Sequence, residues 1–365
     1  MLCMRDIQQD SQHPVLQCTA LLYHRGFLAP PIVMHCKSEP RLMDIQTDVR
    51  LMLKAAGFIC LVAIGLPANL CVLLFLCRLR LSRGHLPPND FILGNLAIVN
   101  LAVLLCRGIP QTLAALGLRH FFDDHGCKMV ILGYRLGRAM SICVTALLGC
   151  YQSVTIAPST PPWNTLKLWI PAHLPHAIIF LYGINIFDSY GAISYPQALP
   201  ANGSIPEYTL NLEFCIVVYP SPLTYVVNGV ILTFRDVFFV GVMLLEAVYM
   251  LLVLYRHQQQ VRGLKGASKA SAGASQAVLL LVCTYVVLFG VENALFGYTL
   301  SLSRVMPAMS DARVFFASCY SALCPVLIIA TNRRLAENFQ CFKCDKIAGK
   351  NLSTPGQSNI SHIIA

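Results

Sequence analysis

Charged side chains are scarce in this sequence: Asp, Glu, Lys and Arg make up only 12% of its 365 residues, whereas 56% are hydrophobic. A water-soluble domain normally carries about 25% charged residues. The composition therefore excludes an ordinary soluble fold and indicates an integral membrane protein. The net charge of +10 does not indicate a nucleic-acid partner, because that would require a soluble basic face.

The sequence also lacks the motifs of common catalytic sites. It contains no phosphate-binding loop, no HExxH zinc motif and no nucleophile–base motif. Many of its 16 cysteines lie in apolar stretches, where a thiol behaves as a small hydrophobic group. We therefore predict that the protein is not an enzyme and has no metal or cofactor.

The hydrophobic residues are concentrated in seven long blocks. These lie near Leu51–Leu76, Phe91–Leu113, Lys128–Tyr151, Leu166–Phe187, Asn228–Tyr255, Ala274–Leu300 and Arg313–Thr331. Each is about long enough to cross a bilayer as a helix, and most do not alternate as the strands of a membrane barrel would. The sequence thus predicts an all-α, seven-transmembrane helix bundle over residues 51–331.

Two terminal segments flank the predicted bundle. Residues 1–50 show no helical or strand period, and we expect a disordered extracellular extension, with the start of translation left open between Met1 and Met43. Residues 332–365 are predicted to form a short amphipathic helix on the inner leaflet, followed by a cytoplasmic tail. Cys341 and Cys344 in this segment are candidate palmitoylation sites; unmodified thiols are the alternative.

The distribution of basic residues predicts the orientation. They collect in the loops after the first, fifth and seventh blocks, at Arg78, Arg80, Arg83, Arg256, Arg262, Lys265, Arg333 and Arg334. The long stretch 188–227 contains no Lys or Arg. Because cytoplasmic loops are enriched in basic residues, we expect a multi-pass plasma-membrane protein with its amino terminus outside. The sequon at Asn202 would then be glycosylated.

Charged residues inside the blocks are the candidate functional residues. They are Arg107, Arg135, Arg138, Arg235, Asp236 and Glu292, each roughly 9–16 Å from the outer end of its span. Unpaired charges in hydrocarbon are costly, so we expect Asp236 and Glu292 to pair with arginines among Arg135, Arg138 and Arg235. The layer either lines a ligand cavity or forms a fixed structural network. Glu246 lies deeper and has no evident partner.

Five stretches resemble vomeronasal type-1 receptors and the related class A olfactory receptors. They are NLAIVNLAVLLCRGIPQTLAALGLRHFFDDHGCK, YRLGRAMSI, LLGCYQSVTIAPS, LTFRDVFFVGVML and SALCPVLIIATNRRL. The resemblance extends from about residue 51 to 335. It implies a G-protein-coupled chemosensory receptor that binds a pheromone or odorant between helices three, five, six and seven. It also implies a heterotrimeric G protein of the inhibitory class and expression in chemosensory neurons.

The resemblance bears on particular residues as well. It supports a disulfide between Cys127 and Cys215, which both fall on the predicted outer side; two free thiols are the alternative. At the inner end of the third helix, Tyr151-Gln152-Ser153 stands where many receptors have an acid–Arg–Tyr motif, a departure that agrees with this family. Residues expected on the G-protein side are Tyr151, Gln152, Arg256, Arg262, Arg333 and Arg334.

A transporter or channel is the competing hypothesis. A transporter usually shows an internal repeat with interrupted helices, and a pore needs a filter loop or rings of like charge. We find neither pattern in the sequence, so the receptor is favoured.

Overall fold

The computed structural model describes residues 18–20, 23–24, 27–28, 32–34, 42–118, 120–200, 209–261, 269–301 and 307–331. The chain divides into two compact units, Met1–Leu53 and Lys54–Ala365. In the first unit, strand β1 (Cys18–Ala20) pairs antiparallel with β4 (Ile32–Met34), and β2 (Tyr23–His24) pairs with β3 (Phe27–Leu28). These strands were not expected from the sequence, because strands of two or three residues are too short to show an alternating pattern.

Within the described ranges, seven long helices form the bundle. They are α1 (Leu42–Arg83), α2 (Pro88–Ala115), α3 (Asp124–Ile156), α4 (Pro161–Asp188), α5 (Pro222–Val261), α6 (Lys269–Ser301) and α7 (Pro307–Thr331). Six are long and apolar enough to span a membrane, and in α6 the described residues give a shorter apolar stretch, Val282–Leu295. The prediction of an all-α bundle with seven spans is confirmed. Helix α1 begins at Leu42 rather than near Leu51.

Local sequence signals set the ends of the central helices. Asp123 caps α3, because its side-chain Oδ1 accepts a hydrogen bond of 2.8 Å from the backbone N–H of Gly126. Helix α5 starts at Pro222, where a missing N–H costs nothing. The preceding Ser221 accepts a bond of 3.2 Å from the N–H of Thr224. These caps place α3 and α5 several residues earlier than the apolar blocks indicated.

Helix α2 contains a π turn over Leu104–Gly108. The backbone N–H of Ile109 donates to the carbonyl of Leu104, five residues earlier. Pro110 has no N–H and cannot donate to the carbonyl of Cys106, which disrupts the regular α pattern at this point. The wider turn carries Arg107, which is only 4% exposed.

Helix α3 is the centre of the bundle. In its most apolar 18-residue stretch, 72% of the residues are buried, more than in the other five long spans. It passes α2 closely at Gly137, where an added Cβ would lie 3.1 Å from the carbonyl oxygen of Val99. In the main core, side chains of α3 pack with those of α2, α5 and α7, among them Leu96, Met140, Leu148, Met243 and Tyr320.

A small sheet connects α4 to α5. Its central strand β7 (Cys215–Val218) pairs antiparallel with β5 (Pro196–Ala198) and with β6 (Thr209–Asn211). We call the β6–β7 hairpin, residues 209–218, the lid. A disulfide joins Cys215 of the lid to Cys127 of α3, with a Cα–Cα distance of 5.8 Å. The lid is thereby fixed to one end of the bundle, which we call the disulfide end.

Candidate functional site

Arg138 of α3 connects three helices in the half of the bundle nearer the disulfide end. Its Nη2 donates to Oδ2 of Asp236 on α5 at 3.2 Å, and its Nη1 pairs with Oε1 of Glu292 on α6. The guanidinium also lies over the ring of Phe289, 5.8 Å from the centroid. Both carboxylates are 5% exposed. One half-buried cation therefore contacts two buried carboxylates from neighbouring helices.

Arg235 extends this arrangement to α4. Its Nη2 lies 2.7 Å from Oδ1 of Asp236, and its Nη1 lies 2.8 Å from Oδ2 of Asp188 at the end of α4. Carboxylates and guanidinium groups therefore alternate through four helices in what we call the ion-pair chain: Glu292, Arg138, Asp236, Arg235 and Asp188. The sequence analysis named all of its members except Asp188, which lies at the edge of the apolar block and gave no signal of intramembrane charge.

The other two arginines lie apart from the ion-pair chain. Arg135 donates to the hydroxyl of Tyr219 at 2.9 Å and to Oδ1 of Asn228 at 3.4 Å, so both of these partners are neutral. Arg107 lies between the rings of Tyr134 and Phe214, at 5.3 and 5.4 Å from the centroids. Its Nε has no hydrogen-bond partner among the described residues. The predicted layer of charges thus consists of the ion-pair chain and two arginines, Arg107 and Arg135, that lie apart from it.

A second charge cluster, which the sequence analysis missed, holds the lid. Lys54 of α1 pairs with Glu213 in the lid and, at 2.7 Å, with Asp311 of α7. The Lys54 side chain is only 2% exposed, and Gln111 of α2 donates to the same Glu213 carboxylate at 3.0 Å. Glu213 has a φ of 72°, an uncommon conformation for a residue with a side chain. The only sequence feature that could have indicated this cluster was the presence of a lysine, Lys54, within the first apolar block.

The ion-pair chain borders a very small cavity. Arg138, Tyr285, Phe289, Glu292 and Tyr320 line about 20 Å³ of space between α3, α6 and α7. That volume holds roughly one water molecule.

Hydroxyl and amide groups continue from the cavity along α3. Ser141 donates to Asn100 at 2.9 Å, and the hydroxyls of Thr145 and Tyr320 are 2.9 Å apart. The surroundings of the cavity therefore combine aromatic faces with charged and hydroxyl groups.

The opposite end of the bundle contains Glu246, for which the sequence indicated no partner. Its Oε1 accepts from Sγ of Cys150 at 2.6 Å. Its Oε2 occupies the space that a Cβ on Gly149 would need, so only glycine leaves room for this carboxylate on α3.

Some residues expected on the G-protein side also lie at this end. Gln152 is buried and donates to Oδ1 of Asn89 at 2.5 Å, whereas Tyr151 is half-buried and Arg256 is exposed. The remaining predicted residues lie outside those described: Asn202, Arg262, Arg333, Arg334, Cys341 and Cys344. Among the described residues, no group of three or more His, Cys, Asp or Glu side chains could hold a metal ion.

A seven-helix bundle with a disulfide-anchored lid and a buried charge layer is the architecture of a membrane receptor, and comparison with known proteins specifies the family. The model of the vomeronasal organ pheromone receptor family matches residues 54–341. The chain belongs to this family, and the resemblance noted from its sequence is confirmed.

Individual relatives support the same assignment. Olfactory receptor class A-like protein 1 of Danio rerio is 41% identical over 297 residues, which cover 80% of this chain and 94% of the relative. Vomeronasal type-1 receptor 45 of Mus musculus is 29% identical over 323 residues, covering 85% and 96%. Vomeronasal type-1 receptor 4 of Homo sapiens is 27% identical over 283 residues, covering 73% and 90%. All three are named as receptors, in agreement with a protein that is not an enzyme.

Proposed function

We propose that this chain is a chemosensory receptor that binds a small odorant or pheromone-like molecule at the disulfide end. Binding activates a heterotrimeric G protein of the inhibitory class at the opposite end. The receptor resides in the plasma membrane of chemosensory neurons with its amino terminus outside. Membership of the vomeronasal organ pheromone receptor family supports this function.

The observation that carries the proposal is the position of the ion-pair chain beside the cavity. Arg138 and Glu292 line that cavity and also connect α3 to α6. A ligand larger than one water must move these side chains or the adjacent rings of Tyr285 and Phe289. Occupation of the cavity therefore changes contacts that determine how α3, α5 and α6 pack. A ligand that binds more tightly to a conformation with a wider cavity shifts the population toward that conformation.

With the amino terminus outside the cell, each of the remaining predicted residues has a role on a defined side of the membrane. The surface that meets the G protein faces the cytosol and comprises Tyr151, Gln152, Arg256, Arg262, Arg333 and Arg334. Asn202 carries a glycan outside the cell. Cys341 and Cys344 carry acyl chains that attach the tail to membrane lipid, as two acyl groups give stable anchoring.

A ligand screen tests the function directly. Cells expressing the receptor with a promiscuous G protein are exposed to an odorant panel, and nucleotide exchange is recorded. We expect at least one odorant to give a saturable response. With native inhibitory G protein, that response should disappear after pertussis toxin treatment. Ligand-independent ion flux without nucleotide exchange would instead support the transporter or channel.

A further inference from the structure

Helix α4 has an exposed face that carries polar side chains. Only 17% of its most apolar 18-residue stretch is buried, the lowest share among the six long spans. Trp169, His173, His176 and Phe180 recur on it at i, i+4, i+7 and i+11, a spacing that places them along one stripe. Trp169 is 54% and Phe180 is 67% exposed, and both histidines are exposed. We call these four residues the α4 stripe.

A groove runs beside the α4 stripe. It has a volume of about 310 Å³, and the stripe forms one wall, whereas Leu147, Cys150 and Tyr151 of α3 form another. The groove is therefore open toward the surroundings of the bundle and large enough to receive a side chain from outside.

The two imidazoles of the stripe lie at mid-depth. His173 and His176 are ~18 and ~22 Å along α4 from Pro161, which is close to the middle of the helix. Neither ring reaches the polar headgroups from there, and lipid tails cannot accept or donate a hydrogen bond. A second molecule that offers polar groups at the same depth would satisfy them.

The hydrogen bonds within the described part of the chain do not satisfy all the ring nitrogens of His173 and His176. His173 Nδ1 is 2.9 Å from the carbonyl oxygen of Trp169, and its ring stacks on the indole at 4.2 Å. The other nitrogen of His173 points to no partner among the described residues, and His176 makes only a ring contact with His173 there, at 6.2 Å. Pro175 has no N–H, so the carbonyl of Pro171 lacks its usual helical donor.

We propose that the α4 stripe is the contact surface of a homodimer, occupied by a second copy of this chain. Two copies in one membrane are related by a two-fold axis along the membrane normal, so that α4 packs in parallel against α4 and equal residues meet. Neutral imidazole has one donor and one acceptor nitrogen. It is therefore complementary to itself, and each His176 hydrogen-bonds its counterpart in the second copy. The aromatic side chains of the stripe enter the groove of the opposite copy.

A lipid occupant fits this surface less well. Acyl chains fill apolar volume but leave both imidazoles without partners. A sterol has one hydroxyl group, which stays at the headgroup level and not at the depth of His176. Interhelical hydrogen bonds from histidine are a recognised source of helix association in membranes.

Cysteine cross-linking in native membranes tests the contact. His176→Cys is compared with the parent chain and with Phe234→Cys, a matched control because Phe234 is 73% exposed on α5 and ~18 Å from the start of that helix. Under mild oxidation, we expect His176→Cys to form much more covalent dimer than the parent chain and Phe234→Cys, which share the same native exposed cysteines. Equal cross-linking at Phe234 would mean random collision and would overturn the proposal.

A second variant tests the hydrogen bonds. The double variant His173→Leu/His176→Leu keeps the stripe apolar and preserves helix propensity. At low receptor density, we expect energy transfer between tagged copies to show a roughly tenfold weaker association, whereas Phe234→Leu leaves it unchanged. Unchanged association of the double variant would overturn the proposal. Labelling of the stripe by a photoreactive sterol in a monomeric receptor would also overturn it, in favour of a lipid occupant.

Discussion

At the scale of single residues, Arg138 has a tightly constrained environment. Within the ion-pair chain it is the cation that contacts two carboxylates on two other helices, Asp236 and Glu292. Removing one member of a buried charge network leaves its partners uncompensated and typically costs about 3–5 kcal/mol. Arg135, three residues earlier on α3, bonds the neutral side chains of Tyr219 and Asn228. The two arginines thus form a matched pair for experiment.

We predict that Arg138→Ala lowers the free energy of unfolding by about 3–5 kcal/mol, whereas Arg135→Ala lowers it by about 1.5–3 kcal/mol, since it loses hydrogen bonds to neutral partners and no ion pair. The double variant Arg138→Ala/Glu292→Ala should be less destabilised than the sum of its single variants. Thermal unfolding of the detergent-solubilised receptor measures all of these variants. Equal effects of the two arginine variants would contradict the ion-pair chain.

Single residues also show what the sequence can predict. Depth alone predicted that Asp236 and Glu292 pair with arginines among Arg135, Arg138 and Arg235, because hydrocarbon forces charges of opposite sign together. Depth cannot distinguish Arg135 from Arg138, because they are less than one helical turn apart. Their different partners depend on the rotation of α3 against the lid and α5, which only the packed structure defines.

At the scale of elements, the lid is held at two points. The disulfide fixes it to α3 across a sequence separation of 88 residues, and the Lys54–Glu213 pair fixes its turn to α1. The disulfide was predicted with the help of a family resemblance. The ion pair was not, because Glu213 lies in a polar loop and its contact with a residue 159 positions earlier leaves no local pattern.

We predict that Lys54→Ala loosens the lid without breaking the disulfide, since Glu213 and Asp311 lose their common cation. Hydrogen–deuterium exchange of the amides in residues 209–218 should become about tenfold faster, equivalent to about 1.4 kcal/mol. Lys128→Ala is the control, because Lys128 lies at the same end and makes no ion pair among the described residues. Unchanged exchange in Lys54→Ala would contradict the role of the Lys54–Glu213 pair in fixing the lid.

Helix α2 illustrates a second limit of sequence reasoning. Pro110 indicates a bend in any helix, yet the π turn at Leu104–Gly108 is one of several ways to accommodate it. The choice depends on packing of α2 against α1 and α3. At these contacts, Gly108 approaches Val62 and Gly133 approaches Cys106. Non-local packing therefore decides how Arg107 is presented beneath the lid.

At the scale of the whole molecule, composition and block length were sufficient to predict the number of spans. Hydrocarbon accepts only helices that satisfy their own backbone groups, so each apolar block has one available structure. The sheet that contains the lid and the small cavity beside Arg138 could not be predicted in this way. Both depend on contacts between residues far apart in sequence and have no periodic signal of their own.

The central claim is that the disulfide end faces the outside of the cell and the basic loops face the cytosol. Labelling with a membrane-impermeant maleimide tests it, using Leu118→Cys at the disulfide end and Arg256→Cys at the opposite end, each compared with the parent chain. Both positions are exposed. The account predicts that Leu118→Cys is labelled on intact cells and that Arg256→Cys is labelled above the parent only after permeabilisation. Labelling of Arg256→Cys on intact cells, with Leu118→Cys protected, would contradict it.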